Sequence, residues 1–424
     1  MKKVPRLRFR GFQEDWELCK FERIFEKVKS YSLSREVETN EFTGMKYIHY
    51  GDIHTKKADK VSENSNIPNI IKKNFALLEI GDLILTDASE DYKGIATPAV
   101  IRENTSFDIV AGLHTIALRP KNIDPMFLYY LIKAPTFRKY GYKVGTGMKV
   151  FGISSSKVLD FTTYIPKNDE TKLVSSFLEK IDYALDLHQR KLEQLKEFKK
   201  AYLQVMFPVK DERVPKLRFA DFEEEWEHRK LDDSIKVMDG DRGANYPHDT
   251  DFFKDGDTLF LDTGNVTKNG FKFDSVKYIT NEKDEQLRAG KLEKNDFVLT
   301  SRGTLGNVGF YDEVVYNLHP KIRINSAMLI LRNTDEQLSY SYLHTLLKGQ
   351  LISDFMKKNQ LGSAQPHITK SEFLKLNLNV PRNINEQNKI GNFFKSLDVT
   401  ITLHQNKLTQ LKSLKKSYLQ NMFI

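Results

Sequence analysis

Two stretches of the chain have the apolar spacing of a coiled-coil helix. From Val174, and again from Ile390, apolar residues recur alternately every four and every three positions. This spacing keeps one face of a helix apolar along its length, so it predicts two long helices that each carry a hydrophobic seam. The central seam positions are Ile181, Leu185, His188, Leu192 and Leu195 in the first helix, and Leu397, Ile401, His404, Leu408 and Leu411 in the second.

Polar residues interrupt both seams at matching places. His188 and Lys199 interrupt the first seam, and His404 and Lys415 interrupt the second. Polar groups on a seam can fix the register or the orientation of paired helices. A lysine near a helix end can instead extend its ammonium group to water, and these two interpretations of the lysines stay open. We interpret the histidines as spacers in the seam rather than as ligands.

Both predicted helices have start signals. Pro166 and Pro381 come just before them, and Asp169 and Asn383 are the predicted N-cap residues. Glu386 follows Asn383 at the spacing of a capping box, in which each side chain bonds the backbone of the other residue.

The chain is a tandem duplication. Residues 4–21 and 214–231 share 10 identities in 18 positions, and residues 181–207 and 397–423 share 16 in 27. Chance does not produce two such matches in the same order, so the sequence contains one structural unit twice. Between these blocks the copies diverge, which indicates that the scaffold was kept while the surfaces changed.

The diverged regions are predicted to be mixed α/β. Short apolar runs rich in β-branched residues, bounded by Gly, Asn, Asp or Pro, are typical of strands. The predicted strands are Asp82–Thr86, Ile116–Leu118, Val298–Thr300 and Ala327–Leu331, and the predicted short helices are Met126–Lys133 and Tyr340–Lys348. The expected fold class is therefore α+β, with a strand order that the sequence leaves open.

The short linker between the copies fixes the direction of the second long helix. A helix of about 37 residues is about 55 Å long, whereas the linker 208–213 spans only about 20 Å. The chain cannot return to the start of the first helix, so the second helix must run antiparallel to pair with it. We expect two globular domains separated by an antiparallel coiled coil, related by a pseudo-twofold axis.

Composition favours a polyanionic partner and a reducing compartment. The net charge is +9 and the sequence pI is about 9.1, which attracts nucleic acid through long-range electrostatics. Cys19 is the only cysteine, which excludes an internal disulfide and a zinc site built from clustered thiolates. We find no export signal and no run of about 18 apolar residues, so a cytoplasmic protein without a membrane partner is expected.

No catalytic motif is present in the sequence. The phosphate loop, the zinc-protease helix, the nucleophile elbow and the Asn/Asp-Pro-Pro-Tyr/Phe motif of amino-methyltransferases are all missing. Gly303, Gly306 and Gly309 follow a predicted strand, where glycines more often form turns than cradle phosphate. We therefore expect a protein that is not an enzyme and that binds neither a metal nor a cofactor of its own.

The duplicated unit, each copy ending in a heptad helix, resembles the specificity subunits of type I restriction-modification systems, the HsdS family. The likeness covers the whole chain. The motifs that carry it are Ile165-Pro166, Val380-Pro381, Glu386-Gln387 with Ile390, and the repeated Leu-His-Gln and Lys-Leu seams. One departure is that the first copy has Glu170-Thr171 where the second has Glu386-Gln387, which puts only a local cap or docking contact in doubt.

The resemblance implies a domain plan and a set of partners. In that family two variable target-recognition domains each read half of a split DNA site, and the conserved helices set the spacing and dock two modification subunits. It implies target-recognition domains at 1–165 and 209–380, and spacer helices at 166–208 and 381–424. The implied partners are double-stranded DNA and two methyltransferase subunits, which would use S-adenosylmethionine. Whether restriction subunits with nuclease and translocase activity join the complex stays open.

Loops beside the shared strands are the candidate DNA contacts, because this is where the copies differ. Base edges are read by hydrogen-bonding side chains, while lysine and arginine bind phosphates. The candidates are His54, Lys56, Lys57, Tyr92, Lys93, Lys143, Thr146 and Lys149 in the first copy, and Asn265, Lys268, Ser301, Arg302, Thr304, Lys357, Lys358, Gln365 and His367 in the second. The alternative for any one of them is an ordinary polar turn.

A second function remains open at this stage. A coiled-coil regulator or adaptor that binds DNA, or protein, without a methyltransferase would have the same composition and helices. The two hypotheses differ in whether the chain forms a stable complex with two modification subunits.

Overall fold

The computed structural model describes residues 3–147, 150–209, 212–349, 351–352, 355–356 and 367–424. Its internal contacts divide the chain into two units, Met1–Arg190 with Gln405–Ile424, and Lys191–His404. Each unit therefore combines one globular copy with a segment of each long helix.

The first unit contains mainly short strands and a few short helices. Its strands are β1 Glu17–Lys20, β2 Phe25–Val28, β3 Glu38–Thr39, β4 Met45–Ile48, β5 Lys60–Val61, β6 Asn69–Ile70, β7 Leu83–Thr86, β8 Ala88–Ser89, β9 Pro98–Ile101, β10 Asp108–Ala111, β11 Thr115–Pro120, β12 Phe151–Gly152 and β13 Thr162–Ile165. Its helices are α1 Phe21–Ile24, α2 Tyr50–His54, α3 Pro125–Lys133, α4 Pro135–Val144, α5 Ser155–Leu159 and the long α6 Asn168–Val205, which continues into the second unit. A 3₁₀ turn covers Arg35–Val37.

The second unit repeats this order with changes. Its strands are β14 Glu227–Lys230, β15 Ile235–Asp239, β16 Thr258–Leu261, β17 Val266–Thr267, β18 Gly270–Phe271, β19 Lys277–Ile279, β20 Phe297–Thr300, β21 Val308–Phe310, β22 Ile322–Ile324, β23 Met328–Asn333 and β24 Asn377–Val380. Its helices are α7 Leu231–Ser234, α8 Asn281–Gln286, α9 Glu313–Leu318, α10 Tyr340–Lys348, α11 Lys370–Phe373 and the long α12 Ile384–Asn421, which continues into the first unit. Asp249–Asp251 and Thr263–Asn265 are 3₁₀ turns.

The central sheets of the two copies share four strands in the same order. The first copy has β2-β11-β7-β9-β5, and the second has β15-β23-β20-β21. A small parallel pair also recurs, β4 with β10 and β16 with β22. The first sheet ends in a fifth strand, β5, that pairs parallel with β9, whereas the second sheet ends at β21 in the part of the chain that is described. The mixed α/β fold and the predicted central strands and short helices are thus confirmed, with boundaries moved by one or two residues.

The duplicated tryptophans anchor equivalent cores. Trp16 packs edge-on against Phe127 of α3 with ring centroids 6.1 Å apart, and Trp226 packs against Tyr342 of α10 at 6.0 Å. The end of α12 completes the first of these cores, because Phe423 lies against Phe127 at 5.2 Å. The same region is tied by the backbone, since Leu7 N–H donates to the carbonyl of Asn421. The first unit is therefore closed by residues from both ends of the sequence.

A buried ion pair attaches the start of each copy to its long helix. Arg8 donates two hydrogen bonds, of 2.7 and 2.8 Å, to the carboxylate of Glu170, and Arg218 does the same to Glu386. Both carboxylates are almost fully buried. A bidentate arginine is the partner that satisfies such a carboxylate best, because its two N–H groups match the two oxygens. The shared glutamate of the two helices is therefore structural, and the hydrogen bond to Glu170 raises the pKa of Arg8.

Within each unit the helix segments run antiparallel. In the first unit Phe177 contacts Tyr418 and Asp182 binds Lys415, so residue numbers rise along one helix as they fall along the other. In the second unit Tyr202 contacts Phe393 and Lys199 binds Asp398 in the same sense.

Each seam lysine forms an ion pair with an aspartate of the facing helix in the same unit. Lys199 binds Asp398, and Lys415 binds Asp182. Of the two interpretations left open, these pairs favour a role in register over simple extension into water.

The remaining seam residues pack as the spacing predicts. Ile181, Leu192, Leu195, Ile401, Leu408 and Leu411 are buried, and Leu185, His188, Leu397 and His404 are half-buried.

One predicted helix cap is correct and one is wrong. Asn383 accepts a hydrogen bond from Asn385 N–H at the start of α12. Asp169 lies inside α6, which begins at Asn168, so it is not the N-cap. The predicted capping box does not form either, because the carboxylate of Glu386 is bound by Arg218.

Candidate nucleic-acid interface

Three of the sequence-predicted segments of the first copy meet beyond the end of β7. Strand β8 pairs antiparallel with β12, which places Ser89 opposite Phe151 and joins the segment Asp87–Lys93 to the segment that follows Lys143. The Nε2–H of His54 donates to the carbonyl of Ala88 over 3.1 Å. We call the assembled segments 54–57, 87–93, 143–147 and 150–151 the first loop cluster.

Aromatic contacts fix Tyr92 in the first loop cluster. Its ring lies 5.3 Å from that of Tyr142 and 4.9 Å, edge-on, from that of Phe151, and its hydroxyl donates to the carbonyl of Tyr142. Arg138 donates to the carbonyl of Lys93, so the turn that carries this lysine is also held. A loop held in this way presents its side chains with little loss of conformational entropy on binding.

The cations of the first loop cluster face solvent. Lys56, Lys57, Lys93 and Lys143 are exposed, as is Thr146. Lys56 has a left-handed backbone, with φ of 60°, at the tip of its turn. Lys149 lies outside the described residues.

His114 and Tyr50 belong to the same surface, although sequence analysis missed both. Nδ1–H of His114 donates to Asp87 over 3.0 Å, and Tyr50 packs edge-on against His114 and His54 with centroids 5.3 and 5.9 Å away. His114 has φ of 56°, an uncommon backbone for a residue other than glycine and one that is often found at functional sites. No sequence signal marks it, because the left-handed conformation depends on the junction of β10 and β11.

The predicted residues of the second copy divide into exposed and structural groups. Asn265 is buried, and its amide group donates to the carbonyls of Lys272 and Ser275 while its oxygen accepts from Asp262 N–H. Asn265 therefore shapes the turn before the β17–β18 hairpin and has no free group for a base. Lys268, at the tip of this hairpin, is exposed.

A shallow groove brings together Ser301, Arg302 and His367. The N–H of Ile368 donates to the carbonyl of Ser301 over 3.0 Å, which joins two segments that are distant in sequence. The groove has a volume of about 400 Å³, and Arg242 and Lys370 also line it. We call these residues, 242, 301–304 and 367–370, the second loop cluster.

The side chains of the second loop cluster differ in their exposure to solvent. Arg302, Thr304 and His367 are exposed, whereas Ser301 is buried. The carbonyl of Thr304 accepts from the hydroxyl of Thr300, which closes the turn. Lys357, Lys358 and Gln365 lie outside the described residues.

Both loop clusters occupy the same place in the duplicated fold. Asp87 N–H donates to the carbonyl of His114 in the first copy, and Ser301 N–H donates to the carbonyl of Ala327 in the second. The strands that end here, β7 with β11 and β20 with β23, are equivalent. One scaffold position therefore carries an Asp–His pair in one copy and an arginine-rich groove in the other.

In the described ranges, no group of three or more His, Cys, Asp or Glu side chains is arranged to hold a metal ion. Across the same ranges, no helix has both the length and the apolar character that a membrane crossing needs.

Comparison with known proteins identifies the duplicated unit. The family model for the type I restriction modification DNA specificity domain matches residues 13–197 and again residues 223–413. The type I restriction-modification S subunit from M. genitalium is similar over 99% of both chains, with a TM-score of 0.64 and 14% identity.

Further solved structures are similar at low sequence identity. A chain from a structural study of complex assembly and conformational transition of the type I R-M system matches with a TM-score of 0.53 and 13% identity, covering 95% of this chain and 96% of that one. The HsdS subunit from Thermoanaerobacter tengcongensis matches with a TM-score of 0.47 and 14% identity, covering 99% and 98%. Because the family model covers most of both halves, the chain belongs to the type I restriction-modification DNA specificity family and carries two copies of its domain.

Proposed function

We propose that this specificity subunit reads a two-part, asymmetric DNA site, with one half contacted by each loop cluster. The observation that carries this proposal is the placement of two chemically different clusters at equivalent strand ends of one duplicated scaffold. Equal scaffolds present their loops in the same way, whereas different side chains select different bases. A site with unlike halves is the expected target of such a pair of readers.

The exposed cations supply affinity, and a few side chains supply selectivity. Lys56, Lys57 and Lys143 suit phosphate contacts, because each is an exposed point charge, the first two on the turn after α2 and the third at the end of α4. Arg302 and His114 have the fork and ring geometry that base edges require. In this proposal the second half-site is read around Arg302 and the first around the Asp87–His114 pair.

The proposed domain plan follows the family. Residues 1–165 and 209–380 form the two target-recognition domains, and residues 166–208 and 381–424 form the spacer helices. The helices hold the readers at the separation that sets the gap in the DNA site.

Exposed apolar residues on the helices support docking of two like partners. The first unit exposes Tyr183 and Leu187, four positions apart on one helix face, and the second unit exposes Val399 and Leu403 at the equivalent positions. Exposed apolar pairs of this kind mark interaction surfaces when they repeat on a helix face. Two copies of one modification subunit suit this repetition, and they would supply S-adenosylmethionine binding and methyl transfer, whereas this chain recognises and docks without catalysis.

The test is to co-express the chain with its cognate modification subunit and to sequence the methylated DNA. A gapped motif with two unlike halves is expected. Exchanging residues 1–165 for those of another specificity subunit changes one half only, and exchanging residues 209–380 is the matched control that changes the other.

Two outcomes would overturn the proposal. If either exchange altered both halves of the motif, the domains would not read independently. If no stable complex with the modification subunit formed, a stand-alone DNA-binding regulator or adaptor would be the better description of the chain.

A further inference from the structure

The second unit contains a cavity of about 210 Å³ beside α10 and α12. Residues of both helices, together with α6 and the end of β21, line it. Its lining includes Phe310, Tyr340, His344, Thr345, Lys348 and Lys395.

Smaller side chains in the second copy open this cavity. In the first copy, Tyr130 of α3 is fully buried and its hydroxyl donates to Asp182 over 2.7 Å. The same position of α10 holds Thr345, and Ser341 stands where the first copy has the buried Met126. Loss of a phenol and a thioether leaves space that the first copy fills with its own side chains.

The described strands at the edge of the second sheet carry no counterpart of Asp59. In the first copy Asp59, just before β5, accepts a hydrogen bond from Lys133 over 2.9 Å. Lys348 of α10 is the equivalent of Lys133, but β17 and β18, the described strands that lie beside β21, contain no carboxylate. Among the described residues Lys348 forms no ion pair within 4.0 Å. Its ammonium group lacks the neighbour that neutralises it in the other copy.

The other charged groups around the cavity leave it cationic. The carboxylate of Asp398, whose charge also acts on Lys348, is bound by Lys199, and Asp312 accepts from Val315 N–H at the start of α9. Lys395 adds a further cation at the wall. Burial lowers the pKa of His344 to about 4, so this imidazole is neutral at pH 7. Burial also lowers the pKa of Lys348, and a bound anion would offset that cost.

One side of the cavity is flat and aromatic. Phe310 stacks on Phe297 at 4.4 Å, and the rings of Tyr340 and His344 lie 6.3 and 5.5 Å from Phe310. A cavity of about 150 Å³ in a protein interior holds benzene, so the space here suits one ring with a small substituent. Flat apolar groups pack well against such a wall.

We propose that this cavity binds a small organic carboxylate. Its anionic group lies against Lys348, as Asp59 lies against Lys133 in the first copy, and its flat apolar part lies against Phe310 and Tyr340. The proposal concerns the second unit alone and does not depend on which DNA sequence the protein reads.

The test is a titration of the full chain with 4-fluorobenzoate, followed by fluorine NMR. Saturable binding to one site is expected. Lys348→Met should weaken it at least tenfold, because it removes the ammonium group against which the carboxylate lies. Thr345→Tyr restores the side chain of the first copy and should abolish binding by filling the cavity. Lys236→Met, at an exposed lysine of β15, is the matched control and should leave binding unchanged.

Two further probes separate the parts of the proposal. The neutral 4-fluorobenzyl alcohol should bind at least tenfold more weakly than 4-fluorobenzoate, and inorganic phosphate should not compete at equal concentration. Equal binding of the alcohol, effective competition by phosphate, or unchanged binding by a folded Lys348→Met variant would each overturn the proposal. Thermal unfolding of every variant establishes that it is folded.

Discussion

Lys415 of α12 donates to the carboxylate of Asp182 on α6, and the equivalent residues Lys199 and Asp398 form the same pair with the helices exchanged. The lysines that interrupt each apolar seam thus have partners at defined positions. Asp182 also accepts hydrogen bonds from Lys60 and Tyr130. In the first unit, one carboxylate connects both long helices to the globular copy.

Asp182 binds Lys60 and Tyr130 in addition to Lys415. The equivalent substitutions Asp182→Asn and Asp398→Asn should therefore lower the free energy of unfolding by different amounts. Asp182→Asn leaves Lys415 and Lys60 without their anion in a buried position and should lower the free energy of unfolding by about 3 kcal/mol. Asp398→Asn is the matched control, because Asp398 is more exposed than Asp182 and Lys199 is its one ion-pair partner among the described residues, and should cost about 1 kcal/mol or less. Urea unfolding measures both, and equal losses would show that Asp182 has no special role.

Low pH should weaken the ion pairs that Asp182 forms with Lys415 and Lys60. Burial by itself raises the pKa of Asp182, but Lys415 and Lys60 outweigh it and hold the pKa below its ordinary value. A carboxylate with a lowered pKa in the folded state contributes stability above its unfolded pKa of about 3.9, and this contribution is lost as the pH falls through the folded value. The free energy of unfolding should therefore fall below about pH 4, less steeply in Asp182→Asn. Identical slopes in the two proteins would contradict this assignment.

The duplicated arginine–glutamate pairs should be costly to break. Arg8→Ala and Arg218→Ala each leave a buried carboxylate, Glu170 or Glu386, without its bidentate partner. Each substitution should cost about 3 kcal/mol in urea unfolding. Lys167→Ala removes an exposed pair with Glu14 and should leave the free energy of unfolding unchanged. A loss for Lys167→Ala as large as that for Arg8→Ala would count against burial as the cause.

Arg302→Ala should relax one half of the methylated motif. An arginine that reads a base edge contributes about 1–3 kcal/mol of discrimination. Lys57→Ala is the control for charge alone and should weaken DNA binding across all sequences, with a smaller dependence on salt. Motif sequencing and binding at two salt concentrations separate the effects, and an unaltered motif in Arg302→Ala would exclude this residue as a reader.

His114→Ala should relax the other half. A ring of His114 that carries its proton on Nδ1 and donates it to Asp87 presents Nε2 as an acceptor, which suits the amino group of adenine or cytosine. Asp87→Asn should give a smaller change at the same base pair, since it alters the orientation of the ring rather than removing it. A change in the half read by the second domain would be incompatible with this assignment.

Local sequence patterns predicted the long helices and the central strands, because the residues that determine these elements are close together in sequence. The heptad spacing from Val174 sets the burial of Ile181 and Leu192, and the β-branched run ending at Thr86 becomes β7. The antiparallel pairing followed from the linker 208–213 and a distance argument. The N-cap of α6 was mistaken because helix start signals fix a boundary only to within a residue or two.

The candidate site was less predictable because its parts come from distant segments. Nothing near Asn265 in sequence shows that its amide group donates to the carbonyls of Lys272 and Ser275. His114 enters the surface only through a left-handed backbone and through Asp87, which lies on another strand end. Polar loop residues look alike in sequence, whereas folding decides which of them face solvent.

The first unit combines two segments that are distant in sequence, and this affects the order in which the units can fold during translation. Its core needs Phe423, whereas the second unit is continuous from Lys191 to His404. At about 5–20 residues per second, a ribosome takes about 10–40 s to make the intervening stretch. Until Phe423 is made, Phe127 of the nascent first copy remains uncovered, whereas the second unit can already fold. The half synthesised first is therefore the half finished last, and it is the one exposed to chaperones and proteases during translation.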